Sequence, residues 1–209
     1  MSKFSTEQEQ FWAGDFGNAY AERNILERLL PARLALFSRI LSSTRNVRSA
    51  IEFGANVGTN MHALKALIPG VELDAVEINN NAFEQLKNVD GVNAHHGSIL
   101  EFEPLRQWDF SFTKGVLIHI NPEMLALVYE RLYQSTNRYL MVMEYYNPTP
   151  VVVEYRGHSE RLFKRDFAGE LLDAYPDLRL LDYGFCYHRD NNFPQDDGNW
   201  FLLEKEAAR

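Results

Sequence analysis

Ile51-Glu52-Phe53-Gly54-Ala55-Asn56-Val57-Gly58 is the stretch that most limits what this chain can fold into. A short apolar run meets an acid, then a turn with two glycines, then a helical pattern over 60–68. A second apolar run, Val71–Val76, ends on Glu77, nineteen residues past Gly58. Two such runs separated by a helix-length segment imply parallel strands joined by a crossover helix. In that unit ligands lie beyond the carboxyl ends of the strands. An acid closing the second strand is placed to accept hydrogen bonds from ribose hydroxyls. The pattern predicts a nucleoside-bearing ligand.

The spacing narrows the choice of ligand. A dinucleotide fingerprint wants glycine at the first, third and sixth turn positions, for the tight turn, for close approach to a pyrophosphate and for helix–strand packing. Here those positions are Gly54, Asn56 and Thr59, so the last two glycines are missing. The remaining pattern, Glu52-x-Gly54-x-Asn56-x-Gly58, resembles the first motif of class I S-adenosylmethionine-dependent methyltransferases. That resemblance implies S-adenosylmethionine, which has no pyrophosphate and so tolerates Asn56 in the turn. Glu77 then receives both ribose hydroxyls in charge-assisted hydrogen bonds. Glu52 fixes the turn through backbone amides or helps to place the methionine ammonium group.

A formal net charge of −8 disfavours a general nucleic-acid binder or a protein held on anionic membrane. No apolar run approaches the ~18 residues that span a bilayer. The first residues show no basic-then-apolar export pattern, and Cys186 is the only cysteine, which removes internal disulfides and cysteine metal clusters. A reducing cytoplasm is the expected setting.

With no internal repeat or low-complexity linker, the chain reads as one methyltransferase-type domain, 1–209. Residues 1–45 form a helical lid and 46–209 an α/β core. Helices are expected over 5–13 and 19–42, the second with the stripe Ile25, Leu29, Leu36, Ile40 and Leu41, and with a break or kink at Pro31. Strands are expected near 48–53, 71–77, 92–96, 109–113 and 139–144, with helices near 59–68, 80–88 and 122–135. Asn121 and Pro122 suit a helix start. After a helix at 166–174, Leu178–Tyr187 and Trp200–Glu204 read as strands. The link from His188 to Asn199 carries Pro194 and Gly198, leaving no room for a crossover helix. Those strands should pair antiparallel. The expected fold is α/β and Rossmann-like, mostly parallel, with an antiparallel terminal hairpin and N-terminal helices.

Several further residues carry candidate chemistry. Ser98 follows the third strand, where the adenine amino group is bound in class I methyltransferases; a simple turn is the other reading. Neighbouring His95 and His96 point to opposite faces of a strand and cannot chelate together, so no metal site is expected. His119 lies in the loop after the fourth strand. It has two readings: a general base, since imidazole titrates near pH ~6.5, or a core or capping histidine. Lys114, at the start of that loop, lines the cofactor site through its backbone. Tyr145, Tyr146 and Asn147 close the fifth strand and suit a hydroxyl-rich acceptor. Arg156, His158, Arg161, Lys164 and Arg165 make a basic island in an acidic chain, suited to a carboxylate or phosphate on the acceptor or to a solvated, salt-bridged surface. In the N-terminal segment Phe11–Asn24, an ordinary amphipathic helix would need neither Gly14 nor Gly17. The segment reads as a lid in which Tyr20 and Arg23, at i and i+3, close on the methionine carboxylate, while Phe11, Trp12 and Phe16 contribute to packing.

With Phe11–Gly17, Gly54–Gly58, Phe112–Pro122, Glu144–Pro150, Tyr155–His158, Leu162–Glu170 and Asn192–Asp197 in hand, the chain resembles the small class I methyltransferases of the pseudaminic acid biosynthesis-associated methylase family. The resemblance extends over nearly the whole chain. It implies methyl transfer from S-adenosylmethionine to an oxygen or nitrogen of a small sugar or nucleotide-sugar acceptor, in nonulosonic acid or surface-glycan biosynthesis. The alternatives are a nicotinamide-dependent sugar oxidoreductase, disfavoured by Asn56, Thr59 and the terminal hairpin, and a non-catalytic cofactor-binding protein.

Overall fold

A computed structural model describes residues 4–206. The chain divides after Glu103 into two compact units.

The first unit begins with α1 (Glu7–Ala13), α2 (Asp15–Ala21) and α3 (Leu26–Leu41). A capping box starts α1: the Glu9 amide donates to Thr6 Oγ1 at 3.1 Å and the Thr6 amide donates to Glu9 Oε2 at 2.9 Å. The helix expected over 19–42 is two helices, with the break at 22–25 and not at Pro31, which lies inside α3. The break has a local cause: Asn24 turns its side-chain amide back onto the Tyr20 carbonyl at 3.0 Å, ending α2. Ile25 therefore leaves the apolar stripe and is 52% exposed, whereas Leu36 and Ile40 are buried.

Then come β1 (Ser49–Phe53), α4 (Thr59–Leu67), β2 (Glu72–Glu77), α5 (Asn80–Leu86) and β3 (Val92–His96). The strands run in the order β3-β2-β1 and all are parallel, with Glu52 opposite Ala75 and Glu77 opposite His96. Strands covered on both faces read as continuous apolar runs, which is why β1 and β2 were legible. Ile51, Phe53, Met61, Leu64, Ala75 and Leu86 are fully buried; each large side chain contributes roughly 1.5–3 kcal/mol by leaving water. His95 and His96 point apart, as expected of strand neighbours. His95 meets Asp74 at 2.9 Å and His96 stacks on Phe83.

The second unit contains β4 (Trp108–Lys114), α6 (Leu125–Ser135), β5 (Thr136–Glu144), β6 (Val151–Tyr155), β7 (His158–Lys164), α7 (Phe167–Ala174), β8 (Leu178–Cys186) and β9 (Gly198–Lys205). The strand order is β4-β5-β9-β8. β4 and β5 are parallel; β9 lies antiparallel to both β5 and β8. The last strand is thus inserted beside β5, as the helix-free link at 188–199 requires. Asn121 caps a short 3-10 turn (Glu123 amide to Asn121 Oδ1, 3.0 Å) and α6 proper starts only at Leu125.

The hairpin β6–β7 was not expected; the chain there read as a basic island after the fifth strand. It forms a separate two-stranded sheet with Tyr155 opposite His158. Its loop is Arg156-Gly157, both at positive φ (51° and 84°), the two-residue turn whose twist matches that of the strands. An arginine in a position that usually takes Asn, Asp or Gly hid the turn signal. Among the described residues no helix is long and apolar enough to cross a membrane.

Candidate active site

The turn after β1 is built from three residues at positive φ: Gly54 (77°), Asn56 (51°) and Gly58 (82°). The Gly54 and Ala55 amides donate to the Val76 carbonyl at 2.8 and 3.1 Å, fastening the turn to β2. Gly58 is needed twice over. Its conformation is left-handed, and a Cβ there would lie 2.9 Å from Leu86 Cδ1. Asn56 explains the missing middle glycine. Asparagine is the non-glycine residue that most readily adopts this conformation, and its Oδ1 accepts the Val57 amide at 2.9 Å.

Glu77 ends β2 beside this turn, buried to 6% exposure. Its Oε2 accepts the Asn56 amide at 2.7 Å and its Oε1 accepts the Asn79 amide at 2.6 Å. Burial raises its pKa, and the amides of Asn79, Asn56 and Ile78 pull it back down. A carboxylate has about four acceptor positions, so the Asn56 and Asn79 hydrogen bonds, with the Ile78 amide beside them, orient the group and leave acceptor capacity for a ribose hydroxyl. Glu52, 1% exposed, receives the Asn60 side-chain amide on Oε1 at 2.5 Å, tying β1 to the first turn of α4.

The other residues of the cofactor set lie close to the turns they were read from. Ser98 is buried at the end of β3, and its hydroxyl accepts the Leu100 amide at 3.0 Å in a tight turn. Tyr20 lies edge-on to Trp12, with ring centroids 5.4 Å apart, and the Arg23 guanidinium sits 5.4 Å from the Tyr20 centroid. Asn24 reaches from this segment to the turn, donating to Asn56 Oδ1 at 3.2 Å. Asn24, Asn60 and Asn79 escaped the sequence reading. Asn79 alone left a signal, as a polar residue just before a helix start.

In the second unit Lys114 ends β4, half-buried. The 3-10 turn Leu117–His119 follows. Glu144, at the end of β5, clamps that turn: Oε1 accepts the Val116 and Leu117 amides, both at 3.1 Å, and Oε2 accepts the Ile118 amide at 3.3 Å. Burial pushes its pKa up to about 7 against the pull of those amides and of Lys114. The sequence placed Glu144 in a motif but gave it no role. His119 is 7% exposed, with Nδ1 2.6 Å from the Arg161 carbonyl and its ring 4.9 Å from that of Tyr155. Burial lowers its pKa to about 4 although the Arg161 contact favours the charged form. The imidazole is therefore neutral at neutral pH, with Nδ1 as the protonated donor and Nε2 as the basic nitrogen.

The acceptor candidates fall on β7, the β6–β7 turn and the stretch after β5. Tyr146 bridges to Arg165 in the backbone, Asn147 turns onto the Thr149 carbonyl at 2.5 Å, and Lys164 lies 5.3 Å from the Tyr145 centroid. Arg156 and His158 are exposed at the hairpin tip, and Arg161 is half-buried on β7. Arg165 is committed elsewhere, paired with Glu170 at 2.6 Å. Among the described residues no group of three or more His, Cys, Asp or Glu could hold a metal ion.

No family model matches the sequence, and no curated protein matches it. Solved structures do. A Leishmania major S-adenosylmethionine-dependent methyltransferase of the DUF858 family superposes with a TM-score of 0.70 at 13% identity, over 96% of this chain and 82% of that one. A Burkholderia thailandensis 1,6-didemethyltoxoflavin-N1-methyltransferase, solved with its substrate and S-adenosylhomocysteine, gives 0.69 at 15% identity over 99% and 93%. CalS10, an amino pentose methyltransferase of Micromonospora echinaspora solved with S-adenosylmethionine, gives 0.61 at 11% over 91% and 96%. The fold is thus the Rossmann-like architecture of these methyltransferases: mixed, mostly parallel, with an antiparallel hairpin.

Proposed function

We propose that this chain is an S-adenosylmethionine-dependent methyltransferase of one catalytic domain, acting in the cytoplasm on an oxygen or nitrogen of a small sugar-derived acceptor. The observation that carries the reading is Glu77. Its buried carboxylate closes β2, is held by two amides, and lies beside a turn of three left-handed residues. The donor set fits the cofactor: acceptor capacity at Glu77, a turn that brings backbone close, and the polar Asn56 where a pyrophosphate-binding glycine would otherwise stand. The antiparallel end of the sheet and the missing glycines oppose the nicotinamide alternative.

When bound, S-adenosylmethionine supplies an already activated methyl group. Glu77 would bind the ribose, Gly54–Gly58 with Glu52 would hold the methionine part, and Ser98 would meet the adenine; Lys114, in the second unit, remains a candidate for the cofactor through its backbone. Tyr20 and Arg23 would bind the methionine carboxylate. Because the donor is activated, rate comes mainly from aligning the acceptor and excluding water. His119, whose Nδ1 lies against the Arg161 carbonyl, is the candidate base for a hydroxyl acceptor, but a pKa lowered to about 4 makes it a weak one at neutral pH, so alignment carries most of the rate. Tyr145, Tyr146, Asn147, Arg156, His158, Arg161 and Lys164 hold an acceptor that bears hydroxyls and an anionic group.

The motif resemblance supports an acceptor from a nonulosonic acid or surface-glycan pathway, and the likeness to CalS10, an amino pentose methyltransferase, supports a sugar. The test is transfer of labelled methyl groups to a panel of sugar acids and nucleotide sugars. Activity on at least one, abolished by Glu77→Ala, is expected. Transfer to none of them by protein that binds S-adenosylhomocysteine would overturn the acceptor assignment.

A further inference from the structure

Asn79 uses its backbone amide and both polar atoms of its side chain on three different parts of the first unit. Its backbone amide donates to Glu77 Oε1 at 2.6 Å. Its side-chain oxygen accepts the Ala82 amide at 3.0 Å and caps α5. Its side-chain nitrogen donates to the Trp12 carbonyl at 3.1 Å and to Asn18 Oδ1 at 2.9 Å. The residue is 2% exposed, so these bonds are shielded from water.

Gly17 makes this contact feasible. A Cβ at that position would lie 1.8 Å from the Trp12 carbonyl oxygen and 2.7 Å from Asn79 Nδ2. Only glycine lets α2 fold back onto the end of α1 and reach Asn79, which accounts for a glycine within an aromatic helical segment. A second tie lies on the other side of Glu77: Asn24 donates to Asn56 Oδ1 at 3.2 Å, and the Asn56 amide donates to Glu77 Oε2 at 2.7 Å. The segment from Trp12 to Asn24 is thus bonded to Asn56 and to Asn79, each of which donates its amide to the carboxylate.

We propose that Asn79 is a positioning residue that fixes the N-terminal segment against the ribose-reading carboxylate, so that the placement of Tyr20 and Arg23 and the orientation of Glu77 are set together. The proposal rests on the cofactor reading above. It predicts that removing the side-chain donors of Asn79 loosens residues 14–24 and weakens the cofactor, while the α5 cap and the Glu77–amide bond survive.

Asn79→Ser is suited to the test, because serine remains a good helix cap and adds no charge but has no amide donors. Gly17→Ala perturbs the same contact from the opposite side without touching Asn79. Loss of two hydrogen bonds of ~1 kcal/mol each corresponds to roughly a thirtyfold change. In the cofactor-free protein, both variants should show amide hydrogen exchange over 14–24 faster by about tenfold or more, with α5 exchange unchanged in Asn79→Ser. S-Adenosylhomocysteine should dissociate faster by a similar factor. Unchanged exchange over 14–24 in both variants overturns the proposal, as does faster exchange with an unaltered dissociation rate. A wild-type protein that binds no S-adenosylhomocysteine refutes the cofactor reading instead, and the exchange result then decides by itself whether Asn79 holds the segment.

Discussion

Glu144→Gln separates two opposing forces on a buried acid. The wild-type carboxyl accepts three amides of the turn that leads to His119, yet burial dominates and its pKa rises from 4.5 to about 7. A group whose folded pKa is raised contributes stability that is fully present below its unfolded pKa and is lost as the pH rises through the folded one. Besides the amides, Lys114 acts on it and favours the charged form, and Glu144 in turn helps to raise the pKa of Tyr129. At about 1.4 kcal/mol per pH unit, the span between 4.5 and 7 is worth roughly 3 kcal/mol, most of which is lost between about pH 5 and about pH 8.5. Glutamine does not titrate, so subtracting the variant removes every other group whose behaviour is shared. Urea unfolding of both proteins at the two pH values measures the difference. The wild type should lose roughly 2–3 kcal/mol relative to Glu144→Gln on going from the acidic to the alkaline condition. Parallel pH curves, or a relative gain by the wild type, would refute the reasoning by showing that the amides outweigh burial.

Other perturbations test neighbouring parts of the account. His119→Ala should lower turnover on a hydroxyl acceptor by about tenfold or more, less than for a base matched to the working pH, with S-adenosylhomocysteine affinity nearly unchanged; equal loss of both points to packing against Tyr155. Gly58→Ala should cost about 2–4 kcal/mol in chemical denaturation, because a left-handed φ and a 2.9 Å approach to Leu86 act together. Arg156→Asn places a better residue in the hairpin turn and should raise stability by about 0.5 kcal/mol or more. Its KM for an anionic acceptor should rise at the same time. An unchanged KM would remove Arg156 from the acceptor set.

Much of the first unit was legible because its chemistry is local. β1 and β2 are buried on both faces and so read as apolar runs, and the turn between β1 and α4 displays its glycines in order. Glu77 could be singled out because an acid after a buried strand is a departure from its surroundings. The break at 22–25 was hidden since the apolar stripe runs on through Ile25, and only the Asn24 side chain reveals where α2 ends. The β6–β7 hairpin was hidden by Arg156, which occupies a turn position that propensity assigns to other residues. The roles of Asn79 and Glu144 depend on partners distant in sequence: Trp12 lies 67 residues from Asn79, and Glu144 holds amides 26 to 28 residues away. No spacing rule links a side chain to a backbone amide over such distances. The strand exits were visible in the sequence, but the hydrogen bonds that organise them required the fold.

Calorimetric titration with S-adenosylhomocysteine and with NAD tests the central claim most directly, using wild type and Glu77→Gln. The wild type should bind S-adenosylhomocysteine and not NAD. Replacing a carboxylate that receives a ribose hydroxyl should weaken binding by about thirtyfold or more, since bonds to a charged group are worth roughly 1.5–3 kcal/mol each. NAD binding in the absence of S-adenosylhomocysteine binding, or equal affinity of Glu77→Gln and wild type, would contradict the account.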